Sequence, residues 1–327
     1  MKKRYIVLLA IVVCVITVEL ILRLGFGFCD ALLYQNDSRY EYIAQPLQQR
    51  RRFGARILVN SYSQRSDEPD TTRVIVLGLG DSVLFGGTMI DHDSLATTLF
   101  SAITGMQMLN ISAGSWGPDN CAAYINAHGT FGARVMLLVC SSHDGYDIMS
   151  HAPVVGVFSN YPDHQYVTAI GELMQRYVMP RWRYWLSGVR FLDPDEQIAD
   201  TEKVLKPVTT PVSAEEKQAV VDSVPAKSTV FNPGFAQLKE ISEQAGIPFI
   251  IYLHAEKGEL MAGTYNSMGR QIIAWAADND VPLYQDLQMG TDLSMYRDII
   301  HPNEKGQRKM AQDFIPIIEN ALSATAE

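Results

Sequence analysis

Paired cysteines are missing from this sequence. The 327-residue chain has four, Cys14, Cys29, Cys121 and Cys140, and no two are spaced C-x-x-C. No thiolate pair of the kind that holds zinc is therefore available. Cys140 closes an apolar run and reads as a small buried hydrophobe. An excess of basic charge is missing too. The net charge is −9, while Lys2, Lys3 and Arg4 contribute +3, so the remainder carries −12. Such an acidic body excludes nucleic acid as a partner, because phosphate binding needs a basic face. Internal repeats are also absent, which excludes a repeat architecture.

Charge is absent from Tyr5 to Val18. This apolar run follows the basic "MKKR". Glu19 and Arg23 come after it, spaced to pair on one helix face. About 20 mostly apolar residues cross a bilayer as a helix. The preceding basic cluster sets the N-terminus in the cytoplasm. No small-residue cleavage site of the A-x-A kind follows, so residues 1–24 are expected as a retained anchor rather than a cleaved signal. Phe26, Gly27 and Phe28 before Cys29 are too bulky for lipoprotein processing. The body is then expected outside the cytoplasmic membrane, on the periplasmic side.

Residues 25–70 lack a clear rhythm and read as an irregular lead-in, with "ARILVNS" as one short strand. Arg50, Arg51 and Arg52 read as a solvated face, with an anionic ligand or a lipid headgroup as the lesser reading. From Arg73 onward the pattern alternates. "RVIVLGL", "MQMLNIS", "RVMLLVC", "IPFIIYLH" and "VPLYQDL" are apolar strands. Helices lie between them near Ser94–Thr104, in "DNCAAYINAHGTFG" with Asp119 or Asn120 near its start, in "GFAQLKEISEQAG" and in "YNSMGRQIIAWAADND". "NEKGQRKMAQDFIPIIENALSA" is the last helix. Such alternation predicts an α/β fold: a parallel five-stranded sheet covered on both faces, preceded by the transmembrane helix. The domain is expected over residues 71–324, interrupted at about 145–228. In that interruption Tyr177, Trp182, Tyr184 and Trp185 either pave a sugar-binding wall or pack on the main domain, and packing is the expected role.

Four blocks fall at carboxyl ends of strands, where such sheets gather functional residues. They are "GDS" (Gly80–Ser82), "SAGSWGPD" with Gly114 and Gly117, "SSHDGYD" (Ser141–Asp147), and "DIIHPNEKG" (Asp298–Gly306). Each suits one task in acyl transfer. Ser82 is the candidate nucleophile, His301 its base, and Asp298 the carboxylate that fixes the imidazole tautomer. The backbone N–H groups of Ser82 and Gly117 are candidate oxyanion donors. At Gly117 a side chain is expected to obstruct backbone approach to the substrate.

The order of these blocks resembles the SGNH hydrolases, also called the GDSL family, over about residues 73–324 without the interruption. The resemblance implies a flavodoxin-like three-layer α/β/α sandwich, with Ser82 as nucleophile, Gly117 as oxyanion donor and Asp298 with His301 as the base pair. Two departures stand out. Ser112 replaces the Asn that commonly opens the second block. The Asn of the third block is matched by His143, whose imidazole offers one N–H donor when neutral. His143 beside Asp144 also reads as a substrate contact, a competing base, or a histidine satisfied within its loop.

Asp144 and His254 are the candidate substrate contacts, with a packed rim position as the other reading of His254. His92, His128, His151 and His164 read as exposed. Asp81 reads as a brace of the turn. Asn36 and Asn110 stand in weak glycosylation patterns. No metal and no cofactor is called for. The expected function is a membrane-anchored serine esterase acting on O-acyl groups, O-acetyl foremost, of extracytoplasmic carbohydrate. An O-acyltransferase of envelope glycan and a non-catalytic glycan-binding envelope protein are the alternatives.

Overall fold

The computed structural model describes residues 2–187, 218–219 and 221–324. Helix α1 (Lys2–Phe26) carries the charge-free run, is long and apolar enough to cross a membrane, and buries none of that window. Arg23 Nε donates to Glu19 Oε1 at 2.7 Å across one helical turn, the pairing expected from their spacing.

Residues 25–70 are more ordered than their sequence suggests. Strands β1 (Tyr34–Asp37) and β2 (Glu41–Ala44) form one antiparallel hairpin. Strands β3 (Gln48–Arg52) and β4 (Ala55–Val59) form a second. Tyr34, Tyr42, Ile43, Ile57 and Val59 face the main core. Arg52 departs from the solvated face expected for Arg50–Arg52. It is buried, and its Nη2 donates to the equally buried Glu172 Oε1 at 2.6 Å.

The five apolar runs form one parallel sheet. They are β5 (Ile75–Gly80), β6 (Gln107–Ser112), β7 (Val135–Ser141), β8 (Phe249–His254) and β9 (Leu283–Gln285), in the order β6-β5-β7-β8-β9. That is the doubly wound order of flavodoxin-like sheets, with β5 beside the topological switch. Helices α2 (Ser82–Phe85), α3 (Ala96–Thr104) and α4 (Pro118–His128) follow the first two strands. After β7 come α5 (Ala169–Leu173), a π-helical segment Met174–Val178, and α6 (Met179–Ser187). Helices α7 (Gly234–Ala245), α8 (Lys257–Ala262), α9 (Ser267–Asp278) and α10 (Glu304–Ala324) complete the chain.

Alternate strand residues point to opposite faces. Leu77, Leu79, Ile111, Leu138 and Ile251 pack with Tyr124 and Ile125 of α4, Phe235 of α7 and Ile272 of α9. Val76, Met108, Leu137, Val139 and Ile250 pack with Phe100 of α3 and Phe314 and Ile318 of α10. Both faces being covered explains why the strands read as unbroken apolar runs. Each fully buried aliphatic or Phe side chain contributes about 1.5–3 kcal/mol.

Tyr177 packs as expected: its hydroxyl accepts from Arg52 Nη2 at 3.0 Å, and its ring lies 5.7 Å from that of Phe28. Trp182 and Trp185 do not pack, being 53% and 79% exposed. The Tyr184 side chain and residues 188–217 lie outside the described residues. His92 is buried, against the exposure expected of it, and burial lowers its pKa. His128 is half-buried against the Tyr124 ring at 4.4 Å, while His151 and His164 are exposed. Asn110 is fully buried, so its glycosylation pattern is not usable.

Candidate active site

Strand β5 ends in the interior of the sheet at Gly80. A Cβ there would lie 2.8 Å from the Val139 carbonyl oxygen and 3.0 Å from Leu84 Cβ. Only a glycine lets the chain turn this closely under the neighbouring strand. Asp81 then caps α2, accepting from the Val83 N–H at 2.8 Å, the bracing role read from sequence. Ser82 is the first residue of the helix, so its N–H has no acceptor one turn back.

Three remote side chains hold this turn. Asn110 Nδ2 donates to Leu84 O at 2.9 Å, and Gln307 Nε2 to Val83 O at 3.0 Å. The buried Arg65 guanidinium donates to Phe85 O at 2.5 Å, Ile90 O at 2.6 Å and Gly87 O. Desolvation brings Arg65 down to about 10.

The loop before α10 delivers the base. His301 Nε2 lies 2.9 Å from Ser82 Oγ, across 219 residues of sequence. Its Nδ1 lies 2.9 and 3.0 Å from the two oxygens of Asp298. A carboxylate accepts, so Nδ1 carries the proton and Nε2 is left to receive one from the hydroxyl. Burial would raise the Asp298 pKa. The His301 hydrogen bond and charge, with the N–H groups of His301 and Ile300, outweigh it and hold Asp298 well below the usual carboxylate range. Ser82, His301 and Asp298, the three residues expected to converge, do so.

His143 sits in the 3-10 turn Ser142–Gly145 after β7, with a side chain 10% exposed. Its Nδ1 is 3.2 Å from Glu256 Oε1. Its Nε2 is 3.4 Å from Asp144 Oδ1 and 3.9 Å from Asp81 Oδ2. Burial alone would lower the imidazole pKa. The Asp144 charge, the Glu256 hydrogen bond and charge, and Asp81 reverse this and hold it up at about 10. Desolvation pushes Asp81 and Asp144 upward in turn, and the His143 charge is what chiefly pulls each back. Glu259 closes the cluster from behind. It accepts from Ser142 Oγ at 2.6 Å and from the Glu256 N–H at 2.8 Å, and burial followed by the Glu256 charge pushes it up to about 8.

Ligand atoms of Asp81, His143 and Asp144 lie within 4.8 Å of one another. A metal would need an imidazole lone pair there. His143 Nδ1 is taken up by Glu256, which leaves Nε2 on the side of Asp81 and Asp144.

Three expectations require correction. The Gly117 N–H donates to Asn120 Oδ1 at 2.8 Å, inside the cap of α4, so it is not presented to a substrate. Gly117 is required for another reason: a Cβ would meet the Asp147 carbonyl oxygen at 2.6 Å. Asp144 is buried, with Oδ2 accepting from the Ser141 N–H at 2.7 Å and Oδ1 facing His143. His254 is buried with both nitrogens engaged, Nδ1 at 2.6 Å from Asp286 Oδ2 and Nε2 donating to Ile300 O at 2.8 Å. Both nitrogens of His254 are thus taken, and the Asp144 carboxylate, whose Oδ1 has no hydrogen-bond partner, is buried. His254 instead ties the end of β8 to the loop that carries Asp298 and His301. Burial opposes its charge, but Asp286 and the Ile300 carbonyl raise its pKa.

Arg65, Asn110, Gln307, Glu256 and Glu259 went unread as parts of the site. No local pattern marks them, because each acts on a partner set by the fold.

A flavodoxin-like sheet thus bears a hydrogen-bonded Ser–His–Asp set at its carboxyl edge. No protein-family model matches the chain, and no curated protein matches it in sequence. Solved structures do. A member of the lipolytic protein G-D-S-L family from Veillonella parvula is 13% identical, with a TM-score of 0.37 over 75% of this chain and 98% of that one. The psychrotrophic esterase EstA from Pseudoalteromonas sp. is 12% identical, with a TM-score of 0.38 over 76% and 98%. Est24, a carbohydrate acetylesterase from Sinorhizobium meliloti, is 10% identical, with a TM-score of 0.38 over 76% and 99%. Likeness at this level carries no argument about activity.

Proposed function

We propose that the protein is a membrane-anchored serine ester hydrolase of the SGNH type, acting on O-acyl groups, O-acetyl foremost, of extracytoplasmic carbohydrate. One observation carries the catalytic part: the unbroken hydrogen-bond chain from Ser82 Oγ through His301 to Asp298. A binding module has no need of all three groups in register.

The steps follow from the geometry. Ser82 Oγ attacks the ester carbonyl carbon while its proton passes to His301 Nε2. Asp298 stabilises the resulting imidazolium. The tetrahedral oxyanion is met by the Ser82 N–H and by an N–H of His143. Collapse breaks the bond to the alkoxy oxygen, which leaves as a hydroxyl after taking the proton back from His301. Water then repeats the sequence on the acyl-enzyme and releases the acid. A sugar hydroxyl in place of water would give O-acyl transfer with the same residues.

The anchor and the location are supported by α1, whose apolar window has a mean hydropathy of 2.9 and follows a basic cluster. The acidic body suits a neutral or large carbohydrate better than a nucleic acid.

The test is hydrolysis of p-nitrophenyl acetate by the full chain in detergent, beside Ser82→Ala. Activity lost in the variant supports the proposal; equal rates in both proteins sink it. An acceptor oligosaccharide that gains acetyl faster than acetate is released would move the reading from hydrolysis to transfer.

A further inference from the structure

The exit of α1 is joined to the α5–α6 arm. Glu19 of α1 accepts from the first N–H groups of α5, Ala169 at 2.7 Å and Ile170 at 3.0 Å. Arg23 Nη2 donates to Val167 O at 2.5 Å. Just beyond α1, the Cys29 N–H donates to Glu172 Oε2 at 2.6 Å, and the other oxygen of Glu172 receives the buried Arg52. Phe28 fits between Phe53 and Tyr177, at ring separations of 6.1 and 5.7 Å. Removing one partner of a buried ion pair is strongly destabilising, so this junction is stiff.

Its depth follows from helix geometry. A span of about 20 residues crosses the hydrocarbon, and counting from Tyr5 such a span ends close to Arg23. Glu19 and Arg23 therefore sit near the far headgroup level, and the arm docked on them lies there too. From Met174 to Ser187 the arm reads "MQRYVMPRWRYWLS", with three arginines and no acidic residue, in a chain of net charge −9. Met174 and Met179 are each 38% exposed, and Trp182 and Trp185 more so. Arg176 is paired with Glu172 at 3.0 Å, but Arg181 is exposed beside Trp182, and exposed tryptophan beside arginine is the composition that rests at a lipid–water boundary. Arginine there is attracted to anionic headgroups.

We propose that residues 174–187 form an interfacial arm that lies on the anionic bilayer surface beside α1, with Trp182 and Trp185 seated at the headgroup–acyl boundary. The arm rests on the reading of α1 as an anchor and is independent of the esterase chemistry. It holds the body at a fixed tilt to the membrane instead of leaving it on a flexible tether.

The experiment uses the full chain reconstituted in vesicles of phosphatidylethanolamine and phosphatidylglycerol, part of the lipid being brominated on the acyl chains. Tryptophan emission reports contact with the bromines. The chain has four tryptophans, of which Trp116 is buried and Trp275 packs with the main core. Quenching is expected in the parent protein and in Trp275→Phe, and is expected to vanish in the double variant Trp182→Phe/Trp185→Phe. Both substituted side chains are exposed, so the variant is expected to fold, with circular dichroism as the check. Unquenched parent protein that floats with the vesicles overturns the arm while leaving the anchor standing. Quenching that survives in the double variant overturns it as well. A chain that does not float overturns anchor and arm together.

Discussion

Two imidazoles stand at the same edge of the sheet, and each has its Nδ1 beside a carboxylate. His301 faces Asp298 with Nδ1 and the Ser82 hydroxyl with Nε2. His143 faces Glu256 with Nδ1, but Asp144 and Asp81 with Nε2. The difference on the second nitrogen decides the chemistry. A ring with one carboxylate keeps a lone pair with which to take a proton. A ring with carboxylates on both sides has its pKa raised, which favours the protonated, donating form. His143 is thereby disfavoured as a competing base by its surroundings, although its side chain is identical to that of His301. His254, deeper in the fold, has one carboxylate and one backbone carbonyl, and joins Asp286 to Ile300 O.

The sharpest way to break this comparison is to remove each ring in turn. His301→Ala is expected to lower kcat for p-nitrophenyl acetate by about 10³–10⁴-fold, since triad members act as a unit. A smaller loss would mean that another group supplies the base. His254→Ala strands the buried Asp286 carboxylate and is expected to cost about 3–5 kcal/mol of stability, read from denaturant unfolding. An unchanged midpoint would deny that this imidazole ties β8 to the catalytic loop.

His143→Ala is expected to lower kcat by about 10²–10³-fold, the loss typical of one oxyanion donor. His143→Asn is expected to stay within about tenfold of the parent, because a carboxamide also donates. Complete loss in the Asn variant would instead assign the imidazole a role that no other donor can fill. The smallest effect is on stability against pH. An unfolded imidazole loses its proton near about 6.5, whereas His143 in the fold holds it to about 10. The stabilisation from this charge is complete below the lower value and is lost as pH rises through the upper one. Melting temperature is thus expected to fall between those values, more steeply in the parent than in His143→Asn. Equal slopes would remove the cation from the account.

The sheet was legible because its strands are buried on both faces and leave unbroken apolar runs. The convergence of Ser82, His301 and Asp298 was legible because "GDS" and "DIIH" fall at strand ends in the expected order. Of the hairpins at residues 34–59 only β4, inside "ARILVNS", was legible. Their strands are four or five residues long and one-sided, and "QNDSRYEY" and "QQRRR" look like loop until the buried side is known. Gly117 was read as a substrate-facing position, yet the space its missing Cβ leaves belongs to the Asp147 carbonyl.

By itself the sequence determined which segments become strands and helices, and which hydroxyl, imidazole and carboxylate could act together. Those features are local: periodicity within ten residues, or a motif of three or four. Only the tertiary structure decided what each group is. The protonation of His143 depends on Glu256, 113 residues away, and the position of the arm depends on Glu19 meeting residues some 150 positions on. Electrostatics and burial act through space, and distance through space is what a linear sequence does not record.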